Sequence, residues 1–529
     1  MSFCWELPYP SQRAPVCAHN IVAASQPLAA QAGIGMLVRG GNAVDAAIAS
    51  AIALTVVEPN MNGIGSDAFA IVWDGAQLHG LNASGRSPKH LQVHGLLARP
   101  EMPDYGWPTV TVPGAVSAWV ALSERFGKLP FDALFEPAIR YAFDGFIVSP
   151  VVAARWSEAV SIYQDYPDFA AAFLPLGRAP KAGELFRSAD HAATLSAIAA
   201  SKGEAFYRGE LGARIAAHAR DNGAALDSGD LAAHSVEWVE CISRRYRDVD
   251  VHELPPNGQG LATLIALGVL QYRGIIDYPL DSADSIHLQL EAMKIGFAEA
   301  HRHVADPTTM QVRSDALLDD AFLRRRADEI HMNRAGHYES KVESDSGTVY
   351  LSCADRSGMM VSFIQSNYEG FGSGIVVPGT GISLQNRGAC FSTDPAHPNV
   401  VAPGKRPFHT IIPAMASRHG NAILSFGVMG GHMQPQGHVQ MILRIFDHQQ
   451  NPQTAADAPR WHVNKNFEIA LEKGLPAEVR AELTQRGHRW IADSDVSVGL
   501  FGGAQLIHRL DDGYCAGSDS RKDGQAVGY

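Results

Sequence analysis

Apolar positions along the chain change period several times, and each change marks an element. Residues 29–37 and 43–56 are runs of Ala, Ile, Leu and Val with interspersed Gly, and both predict helices whose small side chains admit close approach to a neighbouring layer. Asn42 is placed to cap the second helix, with Asp45 near its positive end. Residues 69–73 predict a strand, Asp74-Gly75 a hairpin turn, and 77–82 the return strand. From about 116 to 330 the pattern is largely helical. There Ile286, Leu290, Met293 and Phe297 line one face at spacings of four, three and four, and the loop 255–260 precedes another apolar helix. From 348 to about 426 the texture becomes strands and Gly turns, followed by a helix over 439–446 and a strand pair within 502–514. No internal repeat or long linker interrupts this order. Strands flanked by helices both early and late predict a layered α/β sandwich.

Composition narrows the function classes. The 529 residues are 46% hydrophobic and 19% charged, with 50 Gly and 30 Pro, the profile of a loop-rich globular protein. The formal charge of −12 has the wrong sign for a phosphate-backbone binder or an anionic membrane surface. Six scattered cysteines without a C-x-x-C pair offer neither a disulfide framework nor a structural zinc site. The first residues, Met1 to Pro8, lack a basic start followed by an apolar run, and no stretch approaches the roughly 20 apolar residues that span a bilayer. The expectation is a cytoplasmic protein.

Three constellations carry chemistry. An acidic, polar stretch including Ser344, Asp345 and Ser346 ends at Gly347, and an alternating strand begins at Thr348. If Arg356-Ser357-Gly358 forms a three-residue loop with Gly358 left-handed, Asp355 pairs with Met359, and Thr348 falls opposite Ser366 on the face shared with Ser352, so that two hydroxyls flank Thr348 at the mouth of the sheet. A two-residue loop would shift the pairing by one and lose the arrangement. Were the chain cut before Thr348, the new α-amine, with an ordinary pKa of about 7.7–8.0, would serve as base for the threonine hydroxyl. Gly347 leaves the preceding carbonyl open to attack. The same residues fit a threonine that merely opens a strand. Gly430-Gly431 offers backbone N–H groups to a developing oxyanion, or an ordinary tight turn. Arg86, between Gly85 and Ser87-Pro88, suits bidentate capture of a carboxylate, or a surface loop. Gly63 to Ala68 imitates a dinucleotide fingerprint but leads into a strand, which excludes that reading. His301-Arg302-His303 lacks metal-ligand spacing and reads as surface or capping histidines, and no G-x-S-x-G elbow is present.

In order along the chain, Gly40-Gly41-Asn42-Ala43-Val44-Asp45-Ala46, the Asn62 to Asp67 loop, Arg86, Thr111-Val112-Pro113-Gly114, Phe126-Gly127-Lys128-Leu129-Pro130 and Pro255-Pro256 come first. The Thr348 strand, Phe371-Gly372-Ser373-Gly374, Lys405-Arg406-Pro407, Gly430-Gly431 and Gly517-Ser518-Asp519-Ser520 complete the set. The whole resembles the γ-glutamyltranspeptidase family of N-terminal-nucleophile hydrolases. The resemblance implies a four-layer α/β/β/α fold and a precursor that cuts itself between Gly347 and Thr348. It implies associated subunits 1–347 and 348–529, and admits a dimer of such heterodimers. By the same resemblance Thr348 is nucleophile and base, Ser366 supports it, Gly430 and Gly431 form the oxyanion hole, and Arg86 holds a substrate carboxylate. No metal or other cofactor is expected.

Departures bear on the substrate. Cys390 stands where glutamyl-specific members carry an aspartate for the donor amine, and a buried ammonium without that anion is costly. His409-Thr410 replaces a serine pair, Arg387 a glutamine and Tyr368 an asparagine, and the segment 391–405 is short for a lid. The expected substrate is a small carboxylate-bearing amide without an α-amine, with oxamate the best fit, its carboxylate held by Arg86, alone or with Arg387 or His409, in a binding site that also includes Thr410 and Tyr368. A γ-glutamyl substrate, a glutaryl-type acyl group, and an uncleaved carboxylate-binding pseudoenzyme are the alternatives.

Overall fold

The computed structural model describes residues 12–338 and 347–529; the leader reading at Met1 to Pro8, Cys4, and Ser344, Asp345 and Ser346 lie outside the described residues. Two seven-stranded sheets form its centre. Sheet I runs, in spatial order, Val16–Ala18, Tyr514–Ser518, Gly503–Arg509, Asn421–Met429, Ala414–Arg418, Val249–Glu253, Ile242–Tyr246. Sheet II runs Gln525–Gly528, Ile21–Ala24, Gly347–Ala354, Met360–Tyr368, Asp67–Trp73, Leu78–Asn82, Glu237–Val239. All the pairings within both are antiparallel.

The strand period of two sorts side chains between layers. From sheet II, Ile21, Phe69, Ile71, Tyr350 and Ile364 meet Met415, Met429, Ile507 and Ala516 of sheet I in the space between the sheets. On the other face of sheet II, Val349, Leu351, Val361 and Phe363 pack against the alanine-rich helices Pro27–Val38 and Ala43–Val57. Helices Gly260–Tyr272, Ala283–His303 and Met433–Ile442 cover the outer face of sheet I. The result is the expected four-layer α/β/β/α sandwich. Burial on both faces explains why Asp67–Trp73 reads as a nearly continuous apolar run after its first residue.

Local expectations hold where the signal is local. Asn42 caps its helix through a capping box with Asp45. Gly358 is left-handed at φ 96°, the Asp355 N–H donates to Met359 O at 3.1 Å, and Ala354 pairs with Met360. The largely helical reading of 116–330 holds, apart from short strands. It contains Glu237–Val239, Ile242–Tyr246 and Val249–Glu253, short strands near sheet edges whose alternate positions are polar and partly exposed, so they resemble loops in sequence. The helix expected from 439 begins at Met433, where Gln434, Gln436 and His438 are buried by tertiary contacts and mask the apolar period. Among the described residues no helix is long and apolar enough to cross a membrane.

Candidate active site

The hairpin of sheet II builds the site at its open end. Val349 pairs with Gln365, and a register shift between Gly347 and Val349 leaves Thr348 across from Ser366. Thr348 Oγ1 lies 3.3 Å from Ser366 Oγ and 2.8 Å from Gly347 O. Ser366 Oγ accepts from the Tyr368 N–H at 2.7 Å and from Arg387 Nη2 at 3.2 Å, so its own proton is directed at Gly347 O, 2.7 Å away. The carbonyl of the Gly347–Thr348 bond is thus polarised by a hydroxyl that a guanidinium itself polarises. Both hydroxyl residues are buried, Thr348 at 1% exposure. Ser352 shares their face but does not flank Thr348. Four residues along a strand is about 13 Å, and Ser352 is engaged there with Tyr350 and Ser425, each at 2.9 Å.

Gly430 and Gly431 follow the strand Asn421–Met429 and precede the helix Met433–Ile442. Their φ values of 117° and 55° belong to the left-handed half of the map, which glycine adopts without strain. Among the described residues neither N–H has an acceptor, while their carbonyls receive the first helical N–H groups, from Met433 and Gln434. Two free N–H groups at a helix start are suited to an oxyanion. Gly347, Thr348 and Gly430 line one cavity of about 190 Å³ together with Tyr105, Arg155, Glu369 and Lys522.

Sequence reasoning missed two supports here. Gln434 Nε2 reaches Thr348 Oγ1 at 3.5 Å, and Gln259 Nε2 donates to Gly431 O at 3.0 Å. Gln434 sits in the first turn after Gly430-Gly431 and Gln259 in the 255–260 loop, so both were adjacent to segments already marked. What brings them inward is the packing of sheet I.

Arg387 is fully buried, donates to Thr410 Oγ1 at 2.7 Å, and lies 4.6 Å from the Tyr368 ring centroid. Among the described residues no carboxylate forms a salt bridge with it at 4.0 Å or less. An acidic group acts on it through space. Asp67, fully buried, has its carboxyl pushed up to about 7 by burial, against the opposing pull of Arg387. One Asp67 oxygen accepts from the Gly85 and Gly114 N–H groups, and the other faces His409 Nε2 at 3.0 Å. Burial, then Arg387 and Arg406, hold the His409 imidazole well below its ordinary range, so it is neutral and donates to Asp67. Tyr368 ends its strand at φ 81°, and burial raises its phenol. Cys390 lies against Tyr368 and Arg387, and burial pushes its thiol up to about 11, leaving it uncharged.

Arg86 is placed differently. Its guanidinium pairs with Asp306 at 2.7 Å and Glu237 at 3.5 Å and its side chain is 41% exposed; like the enclosed Arg387, it lines neither the Thr348 cavity nor the larger one described next.

The larger cavity, about 1020 Å³, is walled by Tyr368, Cys390, His301, Phe408, His432 and Arg489 among others. His301 is therefore not a surface histidine; it stacks on Phe297 with ring centroids 5.4 Å apart, whereas His303 caps the helix end beside Glu299 at 3.5 Å. His287, Glu291 and His488 bring potential metal-ligand atoms within 4.8 Å of one another. The Lys294 ammonium already bridges Glu291 at 2.9 Å and His488 at 3.1 Å, and His287 meets His488 at 2.8 Å. Glu291 also accepts from the Gly336 N–H and the Tyr338 hydroxyl, so this cluster clamps the chain that leads toward the Gly347–Thr348 bond.

A four-layer sandwich with a strand-opening threonine whose hydroxyl touches the preceding carbonyl defines a self-processing N-terminal-nucleophile hydrolase. The family model described as gamma-glutamyltranspeptidase matches residues 29–529, and the chain belongs to that family. A glutathione hydrolase-like proenzyme of Bacillus subtilis is 35% identical, over 95% of this chain and 97% of its own. An oxamate amidohydrolase proenzyme of Klebsiella pneumoniae is 34% identical, over 97% of this chain and 99% of its own. The crystal structure of a cephalosporin acylase from Bacillus halodurans superposes with a TM-score of 0.96 at 46% identity, covering 100% of this chain and 99% of that one. The protein is accordingly an autocleaved hydrolase acting on amides, made as a precursor of a large and a small subunit.

Proposed function

We propose that the chain cuts itself between Gly347 and Thr348, giving subunits 1–347 and 348–529, and then hydrolyses a small amide bearing a carboxylate close to the scissile carbonyl, with oxamate the best fit. In the first event Thr348 Oγ attacks the Gly347 carbonyl carbon while Ser366 takes up the charge on the carbonyl oxygen. The hydroxyl proton passes to the leaving nitrogen as the C–N bond breaks, and water then hydrolyses the resulting ester to the Gly347 carboxylic acid, leaving Thr348 with a free hydroxyl and a free amine. In the second event that amine accepts the hydroxyl proton as Oγ attacks the substrate carbonyl. Gly430 and Gly431 N–H groups receive the oxyanion, ammonia departs with a proton, and water frees the acid from Thr348.

One observation carries the substrate reading. Arg387 is a buried guanidinium with no carboxylate bound to it among the described residues, and only the Ser366 hydroxyl separates it from the attacked carbonyl. A substrate carboxylate would supply the missing counter-ion in bidentate form. The short reach favours an acid group adjacent to the amide, and the uncharged Cys390 offers no anion to an α-amine. Arg86, already paired with Asp306, is the weaker candidate for the same task. His409 and Thr410 hold Asp67 and Arg387 in place.

A second reading, an acylase for glutaryl or γ-glutamyl amides, is favoured by the larger cavity, whose wall includes Tyr368 and Cys390. A panel of oxamate, a glutaryl amide and a γ-glutamyl anilide separates the two. Ammonia release from oxamate with little turnover of the others is expected. Efficient cleavage of either longer amide without ammonia from oxamate would replace the proposal with the second reading.

A further inference from the structure

Cys17 and Cys515 face each other across the outermost strand pair of sheet I. Val16–Ala18 runs antiparallel to Tyr514–Ser518, with Cys17 directly opposite Cys515. Residues directly opposite in an antiparallel pair have Cα atoms about 4.5–5.5 Å apart, inside the range of about 4.4–6.8 Å that a disulfide bridges. Both thiols are free and in contact, Cys17 exposed at the sheet edge and Cys515 buried beneath it. No other two cysteines among the described residues are strand partners. The pair also straddles the proposed cut, since Cys17 precedes Thr348 and Cys515 follows it.

We infer that Cys17 and Cys515 are a redox-active dithiol that, on reaction with a small-molecule disulfide, closes into a covalent bridge between the large and small subunits. Exposed Cys17, as thiolate, attacks one sulfur of the disulfide, forming a mixed disulfide and expelling the first small thiolate. Cys515 sulfur then attacks Cys17 Sγ, the Cys17–Cys515 bond forms, and the second small thiolate leaves. The protein is oxidised by two electrons, the reagent disulfide is reduced to two thiols, and the two protein protons end on those thiols. Burial, then the neighbouring Cys17, pushes the Cys515 thiol up to about 12, which leaves the first attack to the exposed Cys17; Cys515 acts second because it lies in contact with Cys17, and it gives up its proton as it attacks. The bridge would fasten the N-terminal strand of one subunit to an interior strand of the other, so that the two could no longer separate on dilution or denaturation. This linkage of two chains rests on the proposed processing; the pairing of the two thiols does not.

The test uses the purified full-length protein treated with oxidised glutathione. On a denaturing gel without reductant, the two fragments are expected to merge into one species of precursor mass, and dithiothreitol should restore two. Titratable thiols should fall by two per molecule, and peptide mapping should recover Cys17 linked to Cys515. Cys17→Ser and Cys515→Ser should each keep the fragments separate, and Cys17→Ser, at an exposed site, keeps the test independent of folding. A stable glutathione adduct on Cys17 with Cys515 still free, or an unchanged thiol count, would overturn the inference. Recovery of the linked peptide from a chain that proves uncleaved would uphold the pair while refuting the processing.

Discussion

Replacing Ser366 by Ala removes the donor aimed at the carbonyl of the Gly347–Thr348 bond. In the wild-type chain that hydroxyl sits 2.7 Å from Gly347 O and accepts from Tyr368 N–H and Arg387. Losing one preorganised donor to a developing oxyanion costs roughly 2.7–4 kcal/mol of barrier, so self-cleavage should slow about a hundredfold to a thousandfold. The same change strands two buried donors, which costs about 1–3 kcal/mol of stability each at most. The two effects are separable. Processing is followed by the disappearance of the intact chain on a denaturing gel after rapid synthesis, and stability by thermal unfolding of Ser366→Ala beside the uncleaved Thr348→Ala protein. Ser366→Thr keeps the hydroxyl and should recover most of the rate. A Ser366→Ala protein that folds and processes within a few-fold of wild type would show that the Gly347 carbonyl draws its polarisation from elsewhere.

Thr348→Ala should abolish both processing and turnover, while Thr348→Ser retains a measurable part of each; mass spectrometry of the purified chain and an ammonia assay read the two outcomes. Arg387→Gln should slow self-cleavage, because its guanidinium donates to Ser366, and in the chains that do process it should raise KM for carboxylate-bearing amides more than for uncharged ones, by about 1.5–3 kcal/mol for the lost charge-assisted bonds. Asp67 provides a pH signature. Its carboxyl titrates near 7 because of burial, well above the unfolded value of 3.8, so the folded chain holds a proton that the unfolded chain has lost across that window. Its contribution to stability therefore falls as pH rises from about 4 to 7. Below 7 the neutral acid also ceases to compete for Arg387, so carboxylate substrates should bind more tightly there. Asp67→Asn should flatten that KM profile, and an unchanged profile would assign the titration to another group.

Much of the site was readable along the chain, for a physical reason. A hairpin obeys a period of two, so a single turn residue, left-handed Gly358, suffices to count Thr348 into register with Ser366 eighteen residues on. The same arithmetic overreached at Ser352, because sharing a face says nothing of distance along the strand. The capping of Ala43–Val57 by Asn42 and the left-handed Gly430-Gly431 turn are likewise local events. Arg387 shows the opposite case. Its sequence position marked it as a departure, but nothing nearby indicated that its guanidinium would be enclosed, stacked on Tyr368 and bonded to Ser366 without a carboxylate. Arg86 looked the better carboxylate holder until Asp306, 220 residues away, claimed it.

Periodicity, turn chemistry and capping are written in neighbouring residues, and through them the amino-acid order alone determined the layered α/β class and the hairpin register that sets Thr348 opposite Ser366, while the role given to that threonine came from the family resemblance. The order of strands within the sheets decided the rest. It set Asp67 against His409, Gln434 against Thr348, and Cys17 against Cys515. Such pairings join segments tens to hundreds of residues apart, and the free energy that selects them is the burial shared by both layers, which no local window of sequence contains.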